Sequence, residues 1–225
     1  MQSSASHSKD YVSKSNLDEK ARLWLEEVRV NSCRRRHFDF SPECAALLII
    51  DMQEYFLNPK SHAFLPGGKA ILPNVVALLS AFRAAKLPVF FTNYAVAEGE
   101  DAGSMERFWG DVLREGDPMA NIIPELAPLP GEHIIRKPQY DSFYGTDLER
   151  KLKAAGAKRV VVCGVLTDLC CETTARSAFV RGFDVFFCAD GTATANEQLH
   201  VSALRTLAHG FGEVVSCRDI ISKLQ

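Results

Sequence analysis

The chain reads as an α/β protein: three layers, α/β/α, around a mostly parallel, doubly wound sheet, with a helical extension in front. Continuous apolar runs without alternation recur from Phe38 onward, as expected of strands buried on both faces. A stretch of helical periodicity follows most of these runs, which is the rhythm of a parallel sheet with crossover helices. Size agrees: 225 residues, 47% hydrophobic and 24% charged, suit one sizeable core better than two.

Residues 1–15 are Ser-rich and read as disordered. Asn16 with Glu19 three positions later reads as an N-cap and its box partner. The helix that follows puts Leu17, Ala21, Trp24, Leu25 and Val28 on one face, which needs cover from the main domain or a neighbouring subunit. The division is therefore 1–37, a disordered start and helical extension, and 38–225, the main domain. Strands are expected at 45–50, 88–94, 133–136, 159–164, 184–188 and 213–216. Helices are expected at 74–85, 146–155, 168–181 and 196–209. Gly67-Gly68-Lys69 lacks the spacing of a phosphate loop and reads as a turn before a helix start at Pro73. Two irregular stretches, 58–69 with His62 and 97–118 with Met105, Phe108, Trp109 and Val112 at helical spacing, are candidate binding loops, the second a short lid.

A net charge of -2 gives no electrostatic reason to expect nucleic acid, so Arg34-Arg35-Arg36-His37 reads as a solvated or subunit-contact patch. No apolar run is long enough to span a bilayer. Seven cysteines, no C-x-x-C pair and a polar first twenty residues without a secretory apolar region point to a reducing cytoplasm and to no structural zinc.

In open parallel sheets the ligand crevice lies beyond the carboxyl ends of the strands. Asp51, Lys137 and Cys170 fall there. Cys170 follows the strand stop Gly164-Val165-Leu166 and the helix start Thr167-Asp168, where free backbone N–H groups and the helix dipole favour a thiolate. Neighbouring helical residues point about 100° apart. Cys171 shares a face with Ala175 and Ala178, an apolar stripe for the core, whereas Cys170 shares one with Thr173, Thr174 and Ser177. Taken singly, Cys170 also reads as a small core residue, Asp51 as a cap and Lys137 as a solvated strand end. Together they form a set for attack on a carbonyl: a carboxylate to move the proton, a cation to hold the thiolate, and amides at the helix start for the oxyanion. Phe56, Tyr94, Phe108, Trp109, Phe143 and Tyr144 read as pocket walls or as ordinary core.

Three stretches carry a resemblance: Leu48-Ile49-Ile50-Asp51-Met52-Gln53-Glu54-Tyr55-Phe56, Lys137-Pro138-Gln139-Tyr140-Asp141-Ser142-Phe143 with Thr146-Asp147-Leu148, and Gly164-Val165-Leu166-Thr167-Asp168-Leu169-Cys170. In order and spacing they resemble the signatures of the isochorismatase-like cysteine hydrolases. The resemblance implies a catalytic triad of Asp51, Lys137 and Cys170, and a cis peptide between Leu166 and Thr167. It also implies an oxyanion hole from the backbone of Leu166, Thr167 and Cys170, and a homo-oligomer. No cofactor is expected. Nicotinamidases of the family carry a metal-binding Asp-x-His where this chain has Thr92-Asn93-Tyr94-Ala95-Val96, so no metal is expected. The substrate implied is a small amide, ureide or N-carbamoyl compound, and the branch implied is the amidase one. Vinyl ether hydrolysis using Asp51, or a catalytically silent binding protein of the same fold, are the alternatives.

Overall fold

The computed structural model describes residues 11–31 and 37–225. Residues 1–10, Cys33 and the arginines of the Arg34-Arg35-Arg36-His37 cluster therefore lie outside the described residues. Six parallel strands form one sheet: β1 (Ala45–Ile50), β2 (Val89–Tyr94), β3 (His133–Lys137), β4 (Arg159–Val165), β5 (Asp184–Ala193) and β6 (Glu213–Val215), in the order β3-β2-β1-β4-β5-β6. The helices are α1 (Leu17–Asn31), α2 (Glu54–Leu57), α3 (Pro66–Ala84), α4 (Ser104–Trp109), α5 (Leu148–Ala154), α6 (Glu172–Val180), α7 (Glu197–Gly210) and α8 (Cys217–Ser222). They cover both sides of the sheet. Among the described residues, no helix is long and apolar enough to cross a membrane.

The middle of the sheet explains the unbroken apolar runs. Every residue of β1 is at most 1% exposed, so neither of its faces needs a polar alternation. The winding direction reverses between β1 and β4, which opens a crevice at their carboxyl ends. There the two strands nearly touch. Gly164 pairs with Ile50 at φ 117°, and a Cβ at that position would sit 2.0 Å from the Ile50 carbonyl oxygen, so only glycine fits.

Four expectations change. Helix α3 begins at Pro66, not near Pro73: Pro66 occupies the first helical turn, and Gly67 and Gly68 are helical because Ala193, Leu57 and Val165 press against them. Pro73 is carried inside the helix. Residues 11–15 are ordered, because Val12 is buried and the Tyr11 hydroxyl accepts the Thr194 amide at 3.2 Å. Asn16 does precede α1, but its Oδ1 accepts the Ser13 amide at 2.7 Å. Strand β5 continues past Cys188 to Ala193 through an irregularity in its pairing with β4. The short α8 was not expected, and Ser216 and Asp219 close a capping box at its start.

A smaller apolar cluster sits apart from the main core, built from Tyr94, Ala95, Val96, Ala102, Leu113 and Ala120. It is the base of the segment between β2 and β3. Gln53, fully buried, staples it to the sheet: its Nε2 donates to the carbonyls of Tyr94 (3.0 Å) and Ala120 (2.9 Å), and its Oε1 accepts the Tyr94 amide (2.8 Å).

Candidate active site

Three strand ends bring three side chains together. Asp51 leaves β1 at φ 49°, a left-handed conformation that Asp tolerates better than most residues. Thr92 of β2 fixes its carboxylate: the Thr92 hydroxyl donates to Oδ1 at 2.6 Å and accepts the Asp51 amide at 3.1 Å. Lys137 ends β3 with Nζ 2.7 Å from Asp51 Oδ2, 2.8 Å from the Gln139 carbonyl and 3.3 Å from Cys170 Sγ. Two of the ammonium's N–H groups thus donate hydrogen bonds, to Gln139 and Cys170, and its charge is compensated by the Asp51 carboxylate beside it. Asp51 and Lys137 are 0% exposed and Cys170 is 5% exposed. Although Lys137 is close, no donor among the described residues is aligned on Asp51 Oδ2 as a hydrogen bond, so that oxygen keeps accepting capacity.

Burial alone would lower the Lys137 ammonium, but Asp51 and Cys170 beside it hold its pKa above the ordinary value. Burial pushes the Cys170 thiol up to about 12, against the pull of Lys137. Burial thus opposes the thiolate that Lys137 and the helix start favour.

The turn that carries Cys170 is a wide π-type turn, Thr167–Cys171, running directly into α6. The Leu166 carbonyl takes the amides of Leu169 (3.2 Å) and Cys171 (3.1 Å). The cis peptide lies between Val165 and Leu166, one bond before the position expected, and Leu166 is the extended residue that precedes the turn. Cys171 is fully buried in the core. The loop after Lys137 is pinned to α6 by Ser142, whose Oγ lies 2.8 Å from Thr174 Oγ1, and by Asp141, whose Oδ2 accepts the Ser177 hydroxyl at 2.8 Å.

The aromatic candidates divide. Tyr94 is buried, its ring centroid 5.8 Å from Lys137 Nζ, and its hydroxyl has no hydrogen-bond partner among the described residues. Burial raises its pKa, with Lys137 opposing and Cys170 adding. Phe56 is half-buried and edge-on to Tyr55. Trp109 on α4 donates its Nε1–H to the Tyr140 hydroxyl at 2.6 Å, which joins the segment between β2 and β3 to the loop after Lys137. Phe108 and Tyr144 are exposed. Phe143 is a core residue instead of a pocket wall, since Phe183 stacks on its ring and the Arg181 guanidinium lies over it. Thr92, Gln53 and Tyr140 were not anticipated; a threonine directly after the apolar run Val89-Phe90-Phe91 was the available signal for the first.

The donor set does not fit a metal. His62 is exposed, with Nε2 3.1 Å from both the Tyr55 hydroxyl and Asp111 Oδ2. Among the described residues no group of three or more His, Cys, Asp or Glu side chains could hold an ion.

The isochorismatase domain, as a family profile, matches residues 45–219, a span that contains all three strand ends. The chain belongs to the isochorismatase family. It is thus an isochorismatase-family hydrolase with the α/β fold of that family. Among curated proteins it is 41% identical over 185 residues to "Nicotinamidase 3" of Arabidopsis thaliana, covering 81% of this chain and 89% of that one. It is 29% identical over 183 residues to "Enterobactin synthase component B" of Escherichia coli K12, covering 81% of this chain and 64% of that one. Among solved structures, a cysteine hydrolase from Pseudomonas syringae pv. phaseolicola 1448A superposes with a TM-score of 0.80 at 28% identity, over 84% of this chain and 95% of that one.

Proposed function

We propose that this hydrolase cleaves the C–N bond of a small amide, ureide or N-carbamoyl compound through a thioacyl intermediate on Cys170. The observation that carries this reading is the buried contact chain from Cys170 Sγ to Lys137 Nζ (3.3 Å) to Asp51 Oδ2 (2.7 Å). A thiol supplies both the nucleophile and the proton the leaving nitrogen needs. Asp51 takes the Sγ proton as sulfur attacks the carbonyl carbon, and Lys137 compensates the transient charge on sulfur. The carbonyl electron pair moves to oxygen, where backbone amides at Thr167 and Cys170, with the Leu166 turn behind them, receive it. As the C–N bond breaks, Asp51 returns the proton to nitrogen and ammonia or an amine leaves. Asp51 then deprotonates water, which attacks the thioester, and acid and thiol are regenerated.

The unpartnered Tyr94 hydroxyl is placed to meet a polar group of the substrate, and Trp109 with Tyr140 supplies a flat wall. The likeness to a protein named a nicotinamidase makes nicotinamide the first amide to try. The test is ammonia release from nicotinamide and a panel of small amides, ureides and N-carbamoyl acids, comparing wild type, Cys170→Ala and Cys171→Ala. Loss confined to Cys170→Ala is expected. Turnover retained by Cys170→Ala would remove the thioacyl mechanism, whereas silence of all three proteins across the panel would favour Asp51-driven vinyl ether hydrolysis or a catalytically silent binding protein.

A further inference from the structure

The N-terminal segment lies outside the span matched by the family profile, yet it reaches the turn that carries Cys170 by two separate routes. The first runs through rings. Trp24 of α1 is 2% exposed and lies 4.4 Å, centroid to centroid, from the ring of His200 on α7; Tyr11 stands 6.1 Å from Trp24 and 5.9 Å from His200. His200 is fully buried, and its Nδ1 lies 2.9 Å from the Thr167 hydroxyl, in the first position of the turn. The Trp24 end is anchored in turn: its Nε1 donates to Glu197 Oε1 at 2.8 Å, and Lys20 donates to the same carboxylate. The second route is polar. The Tyr11 hydroxyl accepts the Thr194 amide, and the Thr194 hydroxyl makes a short hydrogen bond to the Asp168 carboxylate, two residues before Cys170. Val12, beside Tyr11, fills the seam between Gly67 of α3 and the end of β5.

We infer that Tyr11 and Trp24 are positioning residues for the proposed nucleophile, holding the Thr167–Cys171 turn in register with Lys137 through His200 and Thr194. A π-type turn is a locally unfavourable way to begin a helix and needs side-chain support to persist. The 3.3 Å contact of Cys170 Sγ with Lys137 tolerates little movement of that turn. The supporting imidazole is also held neutral, since burial pushes its pKa down to about 3, so the bond to Thr167 does not titrate near neutrality.

This inference rests on Cys170 being the reactive thiol, and its test is independent of any substrate. The full chain is labelled with iodoacetamide at pH 8, and labelling of each cysteine is followed by peptide mass spectrometry in wild type, His200→Leu, His200→Asn and Tyr11→Phe. Displacing the turn alters both the Lys137 contact and the burial of Sγ, so His200→Leu is expected to change the rate of Cys170 labelling at least about fivefold, while buried Cys188 and Cys217 stay unlabelled. His200→Asn, which keeps a polar atom at the Nδ1 position, is expected to recover most of the rate. Tyr11→Phe, which removes one oxygen and keeps the ring, is expected to shift it about threefold in the same direction as His200→Leu. Unchanged Cys170 labelling in both His200→Leu and Tyr11→Phe would overturn the inference. So would faster labelling of Cys170 together with Cys188 and Cys217, the mark of general loosening. Neither result would touch the ammonia-release test of Cys170→Ala, so the two readings fail separately.

Discussion

The two walls of the site are built to different standards. The sheet side places Asp51, Lys137 and Cys170 on strand ends whose backbone is buried and whose side chains are at most 5% exposed. The opposite side, the segment between β2 and β3, has a small apolar base of its own. It presents Trp109 at 53% and Phe108 at 78% exposure on a six-residue helix ending at Gly110, which is left-handed at φ 71°. The proposed reacting groups sit in buried, fixed positions; the aromatic pocket candidates Trp109 and Phe108 sit exposed on a short helix. A family that keeps one chemistry and varies its substrates would be expected to change the second wall and leave the first.

Substitutions can break or sharpen this contrast. On the sheet side, Cys170→Ala and Asp51→Asn are each expected to lower kcat by at least about a thousandfold, Cys170→Ala with little change in folding and Asp51→Asn with a loss of stability from the uncompensated Lys137 ammonium, read by ammonia release and thermal melts. Lys137→Met removes the partner of a buried carboxylate, and about 3–5 kcal/mol of stability should go with the activity, measured by denaturant unfolding. An unfolding midpoint equal to wild type would mean that the Asp51–Lys137 contact adds nothing to stability. Behind the site, His200 gives a pH signature. Its pKa is pushed down to about 3 by burial, so between about pH 6.5 and 3 the unfolded chain holds a proton that the folded chain lacks. Stability therefore falls as the pH falls through that window, by up to about 1.4 kcal/mol per pH unit from this group. His200→Asn should flatten the slope; an unaltered slope would assign it to other groups. On the lid side, Trp109→Ala should raise KM about fivefold, roughly 1 kcal/mol of binding, while stability moves by less than about 0.5 kcal/mol. A large loss of stability there would erase the contrast between the walls.

The strands were legible because strands buried on both faces must be apolar throughout, and Asp51, Lys137 and Cys170 were legible because each follows such a run. Helix α8 was not, being six residues long with a capping box too short to stand out against coil. Gly67 and Gly68 were misread as a turn because glycine signals conformational freedom and close approach alike, and only the packing against Ala193 and Val165 tells which applies. Phe143 was misplaced because an aromatic beside a motif looks the same whether it faces substrate or Phe183. Tyr11 and Trp24 could not be connected to the site at all, since their partners His200 and Thr194 stand at the far end of the sequence.

The sheet order has a consequence for when reactivity arises. Lys137 comes from the outermost strand on one side, Asp51 from the strand third from that edge, and Cys170 from the far side of β4, which pairs with β1 only after the chain has crossed back over two finished strands. No stretch of nascent polypeptide shorter than the span from Asp51 to Cys170 contains the constellation. On the proposed mechanism, a chain leaving the ribosome lacks the Asp51–Lys137–Cys170 constellation until β4 docks on β1, and hydrolytic capacity would appear with the assembled centre of the sheet instead of accumulating piecemeal during synthesis.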